Sequence, residues 1–243
     1  MTRPKILLGL LLAAGTTLLG TTARASDDFI VYSPYVTDGQ SEVEFRAHQQ
    51  FDGDPALDGE RAYVISVAHA FTDWWQPEIY LGRYERDPGS ANAFEGYEFE
   101  NVFQITDQGH YWTDFGFLAS YEYNKLPDEP GVLEFGPLFE KHTGNIDHRF
   151  NMIWEKEVGG GASKHYEFRA SYAASYRINA VLQPGFEAYY RPDDDSHQIG
   201  PALNGEIATA GGNELEYHVA YLFGLNKGAA NRTLAVRLEY EFN

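Results

Sequence analysis

The chain of 243 residues contains no cysteine and only two methionines. Without thiols it has no disulfide framework, although an exporting pathway would permit one, and no thiolate chemistry. Past residue 25, no stretch approaches the roughly 18 uninterrupted apolar residues of a membrane helix, so a membrane form would have to cross on strands. Basic residues are scarce, with 18 Lys and Arg against 36 Asp and Glu, which argues against nucleic acid as a partner. Catalytic signatures are missing too: there is no G-x-S-x-G, H-E-x-x-H, P-loop or GxGxxG. No enzyme and no cofactor are expected.

What is present begins at the amino terminus. Arg3 and Lys5 precede an apolar run from Ile6 to Leu19, and Ala23-Arg24-Ala25 follows with the small-x-small pattern read by signal peptidases. Residues 1–25 are therefore expected to be a signal peptide. Their removal takes Arg3, Lys5 and Arg24, leaving 15 basic against 36 acidic residues and a formal charge of −21.

Aromatics make up 15 % of the chain, with 17 Tyr and 16 Phe. Tyr and Trp favour surfaces with one wet and one apolar side, as in the girdles of membrane barrels. The apolar residues alternate with polar ones at period two. The last ten residues place Leu234, Val236, Leu238, Tyr240 and Phe242 on one face and Ala235, Arg237, Glu239 and Glu241 on the other. The same design recurs at Leu215–Phe223, Tyr166–Tyr172, Phe150–Trp154, Leu133–Phe139 and Phe115–Tyr123. Further candidate strands lie at about 39–50, 59–72, 75–86, 94–106, 179–190 and 197–209, of which 59–72 and 75–86 alternate poorly and 179–190 is interrupted by Pro184. Each is near the 9–11 residues of a tilted membrane strand.

The connections alternate as well. FDGDPALDG, RDPGSANA, NKLPDEPG, VGGGAS, YRPDDDSH and NKGAAN read as longer polar loops, and TDWW, DQGH, TGNID, YRIN and AGGN as short turns between them. This predicts an all-β fold: an antiparallel up-and-down transmembrane β-barrel of about 12 strands over residues 39–243, in a bacterial outer membrane with both chain termini in the periplasm. Residues 26–38 fall outside the strand count. They are assigned to a periplasmic N-terminal segment, with an extra strand or a short plug as alternatives.

The signal peptide, the alternating segments and Leu238-x-Tyr240-x-Phe242 together resemble bacterial outer-membrane β-barrel proteins of the porin and transporter kind. Within that class the sequence is similar to a transporter family linked to phenol degradation (MetA-pathway). The resemblance implies that Leu238, Tyr240 and Phe242 form the signal read by the barrel-assembly machinery, although Asn243 makes the closing aromatic penultimate. It implies no further functional residue.

With apolar faces toward lipid, the interleaved residues line the lumen: Glu42, Glu44, Arg46 and His48, then Glu155 and Glu157, Glu167 and Arg169, Glu214, Glu216 and His218, and finally Arg237, Glu239 and Glu241. Because the first and last strands must pair to close a barrel, Arg46 and His48 are expected near Arg237, Glu239 and Glu241. The lining is mainly acidic, which predicts a passive channel for small solutes with a preference for cations. The rivals are a barrel plugged by its own side chains with a structural or adhesive role, and a barrel lipid hydrolase using His69, which shares the apolar face with Tyr63, Ile65 and Val67. Glu44/His48 and Glu214/Glu216/His218 could hold a divalent ion, but an ion-paired wall is favoured and no metal is assigned. The run Asp193-Asp194-Asp195 lacks the Gly and distal Glu of an EF-hand and reads as a solvated loop. Outer-membrane lipid and lipopolysaccharide are the expected surroundings.

Overall fold

The computed structural model describes residues 29–124 and 129–243. Residues 1–25, expected to be a signal peptide, and residues 26–28 lie outside these, as does part of the NKLPDEPG loop. Twelve strands close into one antiparallel barrel, each paired with its sequence neighbours and β1 with β12. They are β1 (Ser41–Phe51), β2 (Arg61–His69), β3 (Trp75–Arg86), β4 (Ala93–Gln104), β5 (Asp114–Asn124), β6 (Gly131–Thr143), β7 (Ile146–Val158), β8 (Glu167–Tyr176), β9 (Gln183–Arg191), β10 (Ser196–Ala208), β11 (Glu214–Gly224) and β12 (Arg232–Phe242). Closure leaves no edge strand in the sheet.

The period-two patterns place their faces as expected. Val43, Phe45, Ile65, Phe99, Val219 and Leu238 are exposed on the outside, while Glu44, Glu100, Glu134, Asn151 and His218 are buried within. The poor alternation of 75–86 has a local cause: the β2–β3 register shifts between Ile65 and Ser66, and the β3–β4 register between Tyr80 and Arg83. The extra residue flips the parity of β3, so Tyr80 is fully buried before the shift and Arg83 is buried after it.

The connections differ from the sequence reading in two places. The β4–β5 connection, expected as a tight turn at DQGH, runs over residues 105–113, whereas β9 and β10 are joined by residues 192–195 alone. The aspartates there tie the loops to one another. Asp193 accepts hydrogen bonds from His165 Nε2 at 2.8 Å and the Phe168 amide at 2.9 Å, and these hold its carboxyl below the usual range. Asp195 accepts one from Asn226 at 2.8 Å.

The largest difference concerns the N-terminal segment. Residues 29–36 run inside the barrel instead of preceding it, with Ile30, Val31, Tyr32 and Val36 buried. The physical reason lies in a departure from the polar lining. Val102, Leu118, Leu138 and Ile153, one from each of β4 to β7, point inward and form an apolar cluster that Ile30 and Tyr32 cover. Across the lumen, Val31 packs with Tyr189, Ala202, Ala220, Leu222 and Ala235 from β9 to β12, and Phe29 packs against that group. Alternate side chains of one extended segment thus meet opposite walls. For residues 29–36 the plug is the alternative that the structure shows, while Thr37 and Asp38 are exposed at the turn into β1.

Candidate functional site

The segment is held by its backbone as well as its side chains. Asn151 Oδ1 accepts from the Tyr32 amide at 2.7 Å, and Asn151 Nδ2 donates to the Tyr32 carbonyl at 3.0 Å. The Val36 amide donates to Gln104 at 2.8 Å. Tyr32 donates to Glu100 at 2.9 Å, Ser33 to Glu140 at 2.6 Å and Tyr35 to Asp114 at 2.6 Å. Gly116 makes room below: a Cβ there would lie 2.6 Å from Pro34 Cβ. Asn151→Ala would orphan a buried N–H and C=O at once, so the docking of the segment should weaken by about 1–3 kcal/mol. The check is amide hydrogen exchange at Tyr32, which should accelerate at least tenfold while exchange in β6 and β7 is unchanged.

Above Phe29, toward the rim opposite the barrel termini, the lumen is filled by paired charges. Arg169 bridges Glu155 at 2.8 Å and also Glu134, Arg83 pairs with Glu122, and Gln50 donates to Glu60 at 2.8 Å. Buried charges persist when they are paired in this way.

Below Phe29 the lumen is open. Two cavities flank the segment, one of about 200 Å³ and the other of about 280 Å³. The larger is strongly acidic, bordered by Glu42, Glu44, Glu78, Glu100, Glu239 and Glu241. Its mouth is at the rim carrying Ser41 and Phe242, where carboxylate oxygens of Glu42, Glu239 and Glu241 lie within 4.8 Å of one another. Gln76 donates to Glu42 at 2.6 Å, and Gln40 donates to Glu241. The other cavity mixes signs, with Arg46, Arg177, Glu187 and Glu206 among its walls.

The expected closure network forms. Glu42 faces Glu241, Glu44 faces Glu239 and Arg46 faces Arg237 across the β1–β12 pair. Arg237 lies 3.7 Å from Glu44 and 3.5 Å from Glu239, and Arg46 lies 2.6 Å from Glu44. His48 stands apart: it faces Ala235, sits 3.6 Å from Glu60, and meets the Phe29 ring edge-on at 4.9 Å. Of the other residues in the predicted lining, Glu216 and His218 border the open space. His218 is paired with Glu187 at 2.8 Å. Glu155 and Arg169 belong to the filled half. Glu157 accepts from the Ser163 amide at 2.6 Å in the β7–β8 loop, and Glu167 lies at the adjoining strand start. Glu214 begins β11 at the opposite rim. Glu155, Glu157, Glu167 and Arg169 are therefore not brought together with the β1–β12 network, whereas Glu214 lies directly across from Glu241 on β12.

Sequence reasoning missed the residues that seat the segment. Leu118 and Ile153 were visible as apolar residues on an otherwise polar face, and that was the available signal. Outside the barrel, His69 Nδ1 lies 2.9 Å from Ser41 Oγ and its ring meets Phe71 edge-on at 4.7 Å. Among the described residues no carboxylate pairs with this imidazole, so the pair lacks the orienting third group of a hydrolase.

No family model and no curated protein matches the sequence. Solved structures do resemble the fold. The COG4313 outer membrane channel from Pseudomonas putida F1 aligns with a TM-score of 0.60 at 12% identity, over 90% of this chain and 100% of that one. The NanC porin aligns with a TM-score of 0.53 at 10% identity, over 83% of this chain and 99% of that one. At such identities the likeness is one of fold: the chain has a 12-stranded barrel like those of these two proteins.

Proposed function

We propose that the protein is a passive outer-membrane channel for small solutes, entered through an acidic vestibule and held closed in this conformation by residues 29–36. The observation that carries the reading is the open, charged space inside a closed barrel whose outer face is apolar. A barrel with a purely structural role has no need of such a space. The carboxylates of Glu42, Glu239 and Glu241 set a negative field at the mouth, which favours cations over anions. The reading includes export by the N-terminal segment, residence among outer-membrane lipid and lipopolysaccharide, and recognition of Leu238, Tyr240 and Phe242 by the assembly machinery. These three side chains stand exposed on the outer face of β12. The mechanism is diffusion, and no enzymatic activity is part of it.

The test is single-channel recording of the refolded mature protein in a planar bilayer under a salt gradient. The reversal potential should lie on the cation side and move toward zero in the double variant Glu42→Gln, Glu241→Gln. A folded, heat-modifiable barrel that stays silent even after removal of residues 29–36 would refute the channel reading. The adhesive alternative would then stand.

A further inference from the structure

Five residues border both cavities: Ile30, Tyr35, Arg149, Glu216 and Arg237. They mark the junction where the two cavities meet. Their charges are only partly spent on one another. Arg149 uses Nε for Glu140 at 3.1 Å, and 34% of its side chain remains exposed. Arg237 comes no closer than 3.5 Å to Glu239 and 3.7 Å to Glu44, with 20% of its side chain exposed. Glu216 makes no hydrogen bond or ion pair among the described residues. Beside these charges stand the Ile30 side chain and the Tyr35 ring, which is fixed by its hydrogen bond to Asp114 and by stacking on His142 at 5.8 Å.

We infer that this junction is a binding site for a small zwitterion carrying a carboxylate, an ammonium and an apolar side group, in the manner of a free apolar amino acid. The inference rests on the channel reading for its physiological use. The guanidinium donors of Arg149 and Arg237 suit a carboxylate, the free carboxylate of Glu216 suits an ammonium, and Ile30 with Tyr35 receives the side group. A simple anion would meet Glu216 and the acidic vestibule. A simple cation would meet two arginines. A solute bearing both charges on neighbouring atoms satisfies both sets and leaves neither unpaired.

The experiment is calorimetric titration of the full mature protein, folded in detergent micelles, with L-phenylalanine, 3-phenylpropanoate and 2-phenylethylamine. Each charge-assisted hydrogen-bonding group contributes enough for about a tenfold difference in Kd, so L-phenylalanine should bind at least that much more tightly than either analogue. Glu216→Gln should abolish its advantage over 3-phenylpropanoate. Arg149→Gln or Arg237→Gln should abolish its advantage over 2-phenylethylamine, and the Arg→Lys variants, which keep the charge, should retain part of it. Folding of each variant is checked by heat-modifiable migration. Binding of 3-phenylpropanoate as tight as that of L-phenylalanine would overturn the inference in favour of an anion site, and absence of L-phenylalanine binding at millimolar concentration to folded protein would overturn it outright. Binding that persists in a barrel without conductance would leave this site standing while the channel reading fell. Conductance without discrimination among the three probes would do the reverse.

Discussion

Removal of residues 29–36 should convert a channel that is mostly closed into one with stable, resolvable conductance steps. The segment is the element that joins the two walls: Ile30 and Tyr32 cover the β4–β7 cluster, and Phe29 and Val31 reach the β9–β12 cluster. A finer version leaves the chain length unchanged. Burying an isoleucine side chain contributes about 1.5–3 kcal/mol, and a carboxylate in its place adds a desolvation cost. Ile30→Asp should therefore shift the balance from docked to undocked by roughly tenfold to a hundredfold, since each 1.4 kcal/mol is a factor of ten. Open probability in the planar bilayer reads this directly, and urea titration of the barrel gives the control. If Ile30→Asp left both open probability and Tyr32 amide exchange unchanged, the segment would not be the closing element.

Val219→Arg should be the most damaging single substitution on the wall. Val219 faces outward, exposed by 38%, and lies opposite Val236 on β12 and Leu203 on β10 in the central part of its strand. A guanidinium there meets hydrocarbon, and the expected loss is about 2–4 kcal/mol, measured by reversible denaturant unfolding from lipid vesicles. The same substitution at Phe223, at the end of β11, should cost much less because the long side chain can reach the headgroup layer. Equal costs at the two depths would mean that the outer face does not meet lipid as assigned.

On the neighbouring position the structure changes the expectation. Ala220 and Ala235 share the polar face in sequence, where Ser would be harmless beside water. They are in fact buried, at 0% and 2% exposure, within the cluster that holds Val31. Unless its hydroxyl finds a backbone partner, a serine at either site should cost about 1–3 kcal/mol.

The barrel itself was legible in the residues. Side-chain parity in a strand is a local property, so Leu234 to Phe242 declares its two faces without reference to any other segment, and about twelve candidate strands, six of them with this clear alternation, joined by polar connections leave closure as the way for a membrane form to satisfy every backbone group. Even the contact of Arg46 with the β12 charges follows from closure, because strand order alone brings β1 beside β12. What the sequence could not decide depends on alignment between distant strands. Val102, Leu118, Leu138 and Ile153 are scattered over about 50 residues, each looking like a minor lapse in a polar face, and only the register of four strands stacks them into a surface. Residues 29–36, for their part, open with four consecutive apolar or aromatic residues, Phe29 to Tyr32, and show no period-two pattern that would assign them two faces. Whether that stretch pairs, hangs free or enters the lumen is settled by the apolar surface waiting inside, which exists once the barrel has closed.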